Sequence, residues 1–417
     1  MLIRSFILLA LPFLQSPAQT KQKPTFADAL IQSRTPIVLA GGKFSAPGSN
    51  TFTQAVTQSR FVLIGEDHIT REIPEFTAAL CDVMHPDAYA VETGPDAARF
   101  VNGLLHSTER IQIVAARNRE QPNNMAFLDI REENDLAAHC ATASRTPYFQ
   151  LWGLDQEFLG SAGTLLEDML ATNPGPRSRE AIAIARAKER NAELAARRTG
   201  DFLKLFVISS TDADLHSLQE AVNADGNAAT RDLLHEFTMS RTIYQLNTNG
   251  SPDANRLRAE LFKQHFLSDY LPFEAKVPAP RVLFKFGDFH TGKGFSYLHQ
   301  RDLGNFVAEL ADAERTQSLH LLVLGARGTH AALRGYAKPM DREPFSIAED
   351  PSYGWLTPAV ADLLPQQVDG PGPTLTLFDL RQLRFRHIEL PPEWERVIYS
   401  YDLFVLIPKI TPASPIE

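Results

Sequence analysis

Short apolar runs alternate with stretches of helical periodicity along most of this chain. The five runs are RFVLIGEDH (60–68), AYAVETG (88–94), YFQLWGLDQEF (148–158), RVLFKFGDFH (281–290) and LHLLVLGARG (319–328). Apolar runs that alternate with helices are typical of parallel strands buried on both faces. The sequence therefore predicts the α/β class, with a mostly parallel sheet that is covered by helices on both faces.

A long stretch between the third and fourth runs contains no convincing strand. Residues 176–270 are rich in strong helix formers, as in SREAIAIARAKERNAELAARR, and predict a helical insertion that forms a lid or wall over the strand ends. Farther along, TLTLFDLR (374–381) and RVIYSYDLFVLIP (396–408) are expected to be late strands. The proline- and glycine-rich segments 338–354 and 364–373 are expected to be loops.

The N-terminus has the three parts of a secretory signal peptide. Arg4 gives a positive start, an apolar run follows from 6 to 14, and Ser16 and Ala18 are small residues of the kind that signal peptidase reads. The apolar run is shorter than the roughly 20 residues that span a bilayer. We therefore expect cleavage near Ala18, a periplasmic or secreted protein and no stable membrane span.

Three segments follow from these patterns. Residues 1–18 are the predicted signal peptide, 19–54 an N-terminal extension, and 55–410 a single α/β domain that carries the helical insertion. The chain has 417 residues, a formal net charge of -9 and no sustained run of lysine or arginine. Nucleic acids bind clustered positive charge, so the sequence argues against such a partner. A small-molecule substrate is expected, and the oligomeric state stays open.

The chain has two cysteines, Cys81 and Cys140. Outside the cytoplasm they can form a disulfide, and the alternative is a pair of buried free thiols. The sequence does not decide between the two.

Acidic residues and histidines follow the first four apolar runs. They are Glu66 and His68, Glu92, Asp155 and Glu157, and Asp288 and His290. The carboxyl ends of parallel strands lie along one edge of a sheet, where open α/β proteins bind their ligands. We therefore expect these side chains to meet in one pocket.

Glu66 and His68 are separated by one residue and point the same way on an extended chain. In the predicted catalytic site, His68 acts as a general base on water, and Glu66 or Glu92 orients and stabilises it. His290 assists at the oxyanion or the leaving group. Asp155, Glu157, Asp288 and Lys293 are expected to bind substrate or support the site. In the alternative interpretation, the acids only cap helix N-termini.

Residues 285–295, KFGDFHTGKGF, also have the glycine and lysine spacing of a phosphate-binding loop, with Gly287, Gly292 and Lys293. Gly294 occupies the position where such a loop has serine or threonine, which argues against a nucleotide site. The G-x-S-x-G elbow of serine hydrolases is absent, so an activated water is favoured over a covalent intermediate. Whether a divalent metal activates the water, bound by Glu66, His68, Glu92 and His290, stays open.

In their order, five motifs resemble the superfamily of erythromycin esterases, ChaN-like haem-binding proteins and Tiki/TraB proteases. They are VLIGEDH, AVETG, LWGLDQEF, LFKFGDFHTGKG with DLGNFVAEL (302–310), and YDLFVLIPKITPA. The resemblance covers most of residues 55–410. It implies that the family's functional acids and histidines correspond to Glu66, His68, Glu92 and His290.

One departure affects the expected activity. The esterases usually have two residues between the first acid and its histidine, whereas GEDH has one, as ChaN-like members do. The resemblance therefore implies ester hydrolysis by water, metal-dependent peptide hydrolysis of the Tiki type, or haem binding without catalysis. For haem, the candidate axial ligands are His265, Tyr270, Tyr297 and His299. The first expectation is an exported hydrolase of an ester or related acyl bond, with no cofactor firmly predicted and a divalent metal or haem as the open possibilities.

Overall fold

A computed structural model describes residues 25–356 and 372–417 of the chain. The predicted signal peptide, 1–18, lies outside the described residues, as does most of the predicted loop 364–373.

The described strands form one large sheet and one separate hairpin. Their bounds are β1 Arg34–Ala40, β2 Lys43–Ser45, β3 Phe61–Glu66, β4 Ala88–Val91, β5 Gln150–Gly153, β6 Val282–Gly287, β7 Ser318–Gly325, β8 Arg327–Ala332, β9 Asp341–Ser346, β10 Thr374–Asp379 and β11 Leu403–Ile407. The large sheet has nine strands in the order β2-β1-β10-β11-β7-β3-β6-β4-β5, and β8 pairs with β9.

Helices surround this sheet. Their bounds are α1 Phe26–Gln32, α2 Gly48–Gln58, α3 Glu72–Met84, α4 Pro95–Asn102, α5 Arg110–Glu120, α6 Arg131–Ala143, α7 Ala162–Ala171, α8 Pro176–Thr199, α9 Phe206–Ser209, α10 Asp212–Asp225, α11 Ala228–Thr248, α12 Asp253–Lys276, α13 Asp288–Thr291, α14 Leu303–Ala313 and α15 Pro392–Ser400. Among the described residues, no helix is both long enough and apolar enough to cross a membrane.

Six neighbouring strands, from β11 to β5 in the sheet order, run parallel. β10 and β1 extend the sheet in antiparallel pairs. The predicted α/β class with a mostly parallel sheet is confirmed. Part of the expected N-terminal extension belongs to this sheet, because β1 and β2 form its edge.

Alternate residues of the central strands point into different cores. Val62 of β3 packs in a cluster with Leu80 of α3, whereas Leu63 belongs to a second cluster with Phe262 of α12. Both faces of the sheet are therefore covered, which explains why its strands are apolar without interruption.

The predicted helical insertion corresponds to α8 through α12. A third core packs α7 through α11 against one another through buried side chains, which include Leu165, Ile182, Leu218 and Phe237. The last helix, α12, leaves that core and packs on the sheet through Phe262. It is the part of the insertion that reaches the strand ends.

Two local predictions were wrong. The segment 338–354, expected to be a loop, contains β9, which is stabilised by backbone pairing with β8. The expected strand at 396–408 extends only over Leu403–Ile407, because residues 396–400 complete the amphipathic helix α15, whose Val397 and Ile398 are buried.

The two cysteines are joined in a disulfide. It links Cys81 of α3 to Cys140 of α6, with the Cα atoms 5.3 Å apart, and both residues are buried. Of the two alternatives left open by the sequence, the structure contains the disulfide.

Candidate active site

The side chains predicted to meet do so because of the strand order. Neighbours in the sheet are β3, β6, β4 and β5, and each carries an acidic residue or a histidine at or just beyond its carboxyl end. Glu66 ends β3, Glu92 follows β4, Asp155 follows β5, and His290 lies in the single turn α13 that follows β6. This carboxyl edge of the sheet holds the candidate site.

Glu92 is the centre of the site. Its Oε1 accepts a hydrogen bond from Arg258 Nη2 at 2.7 Å, and its Oε2 accepts one from the Gly287 amide at 2.6 Å. His68 Nε2 is 3.4 Å from Oε2, and His290 Nε2 is 3.6 Å from Oε1. Burial favours the protonated carboxyl, but the imidazoles and the guanidinium hold its pKa well below the usual range. Glu92 is therefore a buried anion at neutral pH.

His68 lies between two carboxylates. Its Nδ1 donates to Glu66 Oε1 at 2.9 Å, its Nε2 faces Glu92, and its ring stacks on Phe127 with centroids 4.4 Å apart. Burial opposes the charged form, yet Glu92 and Glu66 raise the pKa of His68 to about 10. The side chain keeps 28% of its surface exposed. His68 is therefore a cation at neutral pH, and it remains within reach of a ligand.

His290 is held by the next helix. Its Nδ1 is 2.9 Å from Oδ2 of Asp302, the residue that caps α14 by accepting a hydrogen bond from the Leu303 amide. Its Nε2 is 3.3 Å from Arg258 Nη1. In the tautomer with its proton on Nδ1, toward Asp302, Nε2 has a lone pair that accepts from this guanidinium. His290 is therefore oriented by a carboxylate on one side and by Arg258 on the other.

Arg258 connects the helical insertion to the site. This residue of α12 makes a bidentate contact with Asp155, at 2.8 Å from Nε and 2.5 Å from Nη2, while Nη2 also binds Glu92. A planar guanidinium is well suited to such paired carboxylates. The insertion therefore supplies a charge to the site as well as a wall.

A second cation lies behind Glu66. Lys285 Nζ is 2.5 Å from Glu66 Oε1 and 2.5 Å from Oε1 of Glu133, which belongs to α6. Burial works against ionisation of Glu66, but Lys285 and His68 lower its pKa. Burial raises the pKa of Glu133 to about 7, although the charge of Lys285 opposes this. Seven side chains thus form a row in which acidic and basic groups alternate, which we call the charge row. Its members in order are Glu133, Lys285, Glu66, His68, Glu92, Arg258 and Asp155.

Three residues that were predicted to support the site make other contacts: Glu157, Lys293 and Asp288. Glu157 is buried beside α4, where its Oε1 accepts a hydrogen bond from the Asp96 amide at 2.6 Å. Burial and the charge of Asp96 raise its pKa well above the usual range. Lys293 pairs with Asp402 at 2.9 Å, at the start of β11 and therefore toward the opposite edge of the sheet.

Asp288 lies next to the site without joining the charge row. Its backbone carbonyl accepts a hydrogen bond from the Tyr401 hydroxyl. Burial and the nearby Asp67 raise the pKa of the Asp288 carboxyl to about 7. Among the described contacts, none joins the Asp288 side chain to the central Glu92.

Sequence reasoning missed four members or supporters of the site: Glu133, Arg258, Lys285 and Asp302. Lys285 had a visible signal, since it is the one charged residue inside the apolar strand Val282–Gly287. Asp302 opens the helix of the DLGNFVAEL motif as its cap. Arg258 is one of several arginines in a helical segment and had no distinguishing signal.

The overall fold is shared with three solved structures. A histidine-to-asparagine mutant of the erythromycin esterase EreC, in its open conformation, is 13% identical with a TM-score of 0.56, and the match covers 92% of this chain and 99% of that one. The chain has the fold of an erythromycin esterase. The resemblance drawn from the motifs is confirmed as a match of structure. Neither a protein-family model nor a curated protein matches the chain.

Two further solved structures are similar to this chain in fold. A succinoglycan biosynthesis protein is 13% identical with a TM-score of 0.55, covering 94% of this chain and 98% of that one. A protein from Bacillus cereus is 12% identical with a TM-score of 0.51, covering 88% and 92%. At such identities the likeness shows the fold alone.

The donor set at this edge of the esterase fold does not suit a metal ion. The nitrogens of His68 face two carboxylates, both Glu92 oxygens accept hydrogen bonds, and the Arg258 guanidinium lies among the candidate ligands. In the described ranges, no group of three or more acidic, histidine or cysteine side chains has the arrangement of a metal site. No reaction step is therefore derived through a metal.

The haem-ligand candidates have other contacts. Tyr270 is fully buried and donates its hydroxyl hydrogen bond to Glu314 and Glu274. His265 Nδ1 contacts the Leu154 carbonyl oxygen at 2.9 Å. His299 is exposed, and Tyr297 is half-buried.

Gly287 allows a test of the geometry around Glu92. An added Cβ would lie 2.9 Å from His68 Nε2 and 3.4 Å from Glu92 Oε2. Gly287→Ala is expected to push the imidazole away from Glu92 and so to lower the pKa of His68 toward its ordinary value. The measurement is an NMR titration of labelled histidine, with the His68 signal assigned through His68→Gln.

The control for this titration is Gly103→Ala, where the nearest atom would be 3.5 Å from the new Cβ. The control should leave the titration of His68 unchanged. If Gly287→Ala also leaves it unchanged, Glu92 does not set the charge of His68.

Proposed function

We propose that the chain is an exported hydrolase that cleaves an ester or a related acyl bond by attack of water. One observation carries the proposal: the carboxylate of Glu92 lies between His68 and His290, and His290 is oriented by Asp302, at the carboxyl edge of the sheet. In the proposal, His290 is the proton acceptor, and His68, whose pKa is raised to about 10, is the proton donor. The shared fold of an erythromycin esterase supports the same class of reaction.

His290 is the better candidate for the general base. In the proposal, its proton lies on Nδ1 toward Asp302, and Nε2 exchanges its contact with Arg258 Nη1 for the attacking water, whose proton it accepts. A carboxylate behind Nδ1 fixes this tautomer and stabilises the imidazolium that forms. The attacking water adds its oxygen to the carbonyl carbon and gives its proton to Nε2 of His290.

His68 takes a different role from the one expected from the sequence. An imidazole whose pKa is raised to about 10 already carries its proton at neutral pH, so it is a poor acceptor for a proton from water. In the proposal, His68 and Arg258 stabilise the oxyanion of the tetrahedral intermediate. When the oxyanion re-forms the carbonyl and the bond between the acyl carbon and the leaving oxygen breaks, His68 gives its proton to that oxygen. His290 then releases to solvent the proton that it took from water, and His68 takes one up from solvent, which restores both starting states.

Variants of the two histidines separate these roles. His290→Gln is expected to lower kcat/KM by about 100-fold or more on both p-nitrophenyl butyrate and ethyl butyrate, because both need an activated water. His68→Gln is expected to lower kcat/KM by about 100-fold on ethyl butyrate and by only about tenfold on the p-nitrophenyl ester, whose leaving group departs without a proton.

The matched control for the histidine variants is His139→Gln. This exposed histidine also pairs with a carboxylate, Asp82, at 2.9 Å, and it belongs to α6 on the protein surface. It should retain wild-type kinetics. Wild-type rates in His68→Gln and His290→Gln, with normal thermal unfolding, would refute the assigned roles.

The pH dependence has a defined sign. A raised pKa keeps His68 protonated up to high pH, so the active form persists below about pH 10 and is lost as pH rises through that value. The kcat/KM for ethyl butyrate, followed in a pH-stat, should therefore fall on the alkaline side. If kcat/KM instead increases as the pH rises through about 10, the proposal is wrong, and a neutral His68 is the general base.

Export rests on the N-terminal pattern together with the disulfide between Cys81 and Cys140. Disulfides persist in oxidising compartments and are rare in the cytosol. Expression of the full chain in a bacterial host should yield a periplasmic or secreted protein that begins at Gln19 and is two hydrogens lighter than the reduced chain. The measurement is intact mass before and after reduction. A full-length reduced chain in the cytoplasm would contradict export.

A further inference from the structure

Lys285 occupies an unusual position for a charged residue. It lies inside β6, between two strands that are buried as well, and it is only 4% exposed. The sheet itself would accept an apolar side chain there, since Leu283, on the same face of β6, is fully buried in an apolar cluster. Burying an ammonium is costly unless it is paired with anions. The pairing therefore explains why a lysine is compatible with this strand.

The ammonium of Lys285 joins two carboxylates that come from different elements. It is 2.5 Å from Oε1 of Glu66 in β3 and 2.5 Å from Oε1 of Glu133 in α6. Both carboxylates are buried. Another ionisable group nearby is Tyr89 of β4, and burial together with the charges of Glu133 and Glu66 raises its pKa well above the usual range. Tyr89 therefore stays neutral, and Lys285 supplies the positive charge between the two acids.

One oxygen of Glu66 connects Lys285 to His68. Glu66 Oε1, which accepts from Lys285, is also the atom that accepts from His68 Nδ1 at 2.9 Å. Two buried carboxylates without a cation between them repel each other unless one takes up a proton. The ammonium of Lys285 therefore fixes the position of the Glu66 carboxylate. The Glu66 carboxylate in turn fixes the orientation of the His68 ring.

We propose that Lys285 is a positioning residue that holds the Glu66 carboxylate where it accepts the Nδ1 hydrogen bond of His68. The inference rests on the proposed hydrolytic function, because it assigns Lys285 to the support of that site. The competing interpretation is that Lys285 only balances the charge of Glu133 and keeps α6 on the sheet.

A pair of substitutions separates the two interpretations. Lys285→Met alone leaves the buried acids Glu66 and Glu133 without the cation between them and is expected to be destabilising. The double variant Lys285→Met/Glu133→Gln removes the ammonium together with one of its two carboxyl partners, while Glu66 keeps its contact with His68, so this variant is expected to fold. Glu133→Gln alone keeps the contact between Lys285 and Glu66.

The experiment measures kcat and KM on ethyl butyrate and determines crystal structures of the wild type and of both Glu133 variants. For Lys285→Met/Glu133→Gln we expect kcat to fall by about tenfold or more, KM to change by less than about twofold, and Glu66 Oε1 to leave His68 Nδ1. The fall in kcat is measured relative to Glu133→Gln, which should keep that hydrogen bond.

A double variant with the kcat of Glu133→Gln and an intact hydrogen bond between Glu66 and His68 would overturn the proposal. The crystallographic result is independent of activity. A wild type that hydrolyses no ester would refute the proposed function, while the position of Glu66 in the double variant would still decide whether Lys285 orders it.

Discussion

The pairing of a buried Glu92 with the cations and donors around it is the interaction on which the site depends. A carboxylate removed from water needs partners that replace its hydration, and Glu92 has the Arg258 guanidinium, the Gly287 amide and two imidazoles. Of these partners, Arg258 and His68 each meet a further anion, so the compensation continues in both directions as the charge row. In such a network the loss of one member leaves its neighbours unpaired, and the effects of substitutions are strongly coupled.

The sheet provides the charge row by bringing distant parts of the chain together. β6 lies between β3 and β4, although some 190 residues separate it from β4 along the chain. The helical insertion occupies most of that interval, and its last helix, α12, returns Arg258 to the strand ends. The return of the chain to β6 therefore places His290, Lys285 and Arg258 beside Glu66 of β3 and Glu92 after β4. The erythromycin esterase fold explains this convergence, whereas the chemistry follows from the particular side chains.

Much of this arrangement could be predicted from the sequence, because buried parallel strands and their polar ends leave a local pattern. Glu66, His68, Glu92, Asp155 and His290 were found in that way. The contacts that set their charges could not be predicted, since Arg258 and Glu133 lie on amphipathic helices among many similar residues. Local pattern also failed at β9, where the backbone of β8 overrides a loop-like composition, and at 396–400, where an apolar stretch forms a helix face.

The protonation state of His68 follows from the central claim that two ionised carboxylates enclose this ring. The most direct measurement is the nitrogen chemical shifts of His68 in labelled wild-type protein at neutral pH, which report whether each ring nitrogen carries a proton. Two protonated nitrogens are the expected result. A neutral ring with one unprotonated nitrogen would contradict the account, because Glu66 and Glu92 would then not enclose a cation.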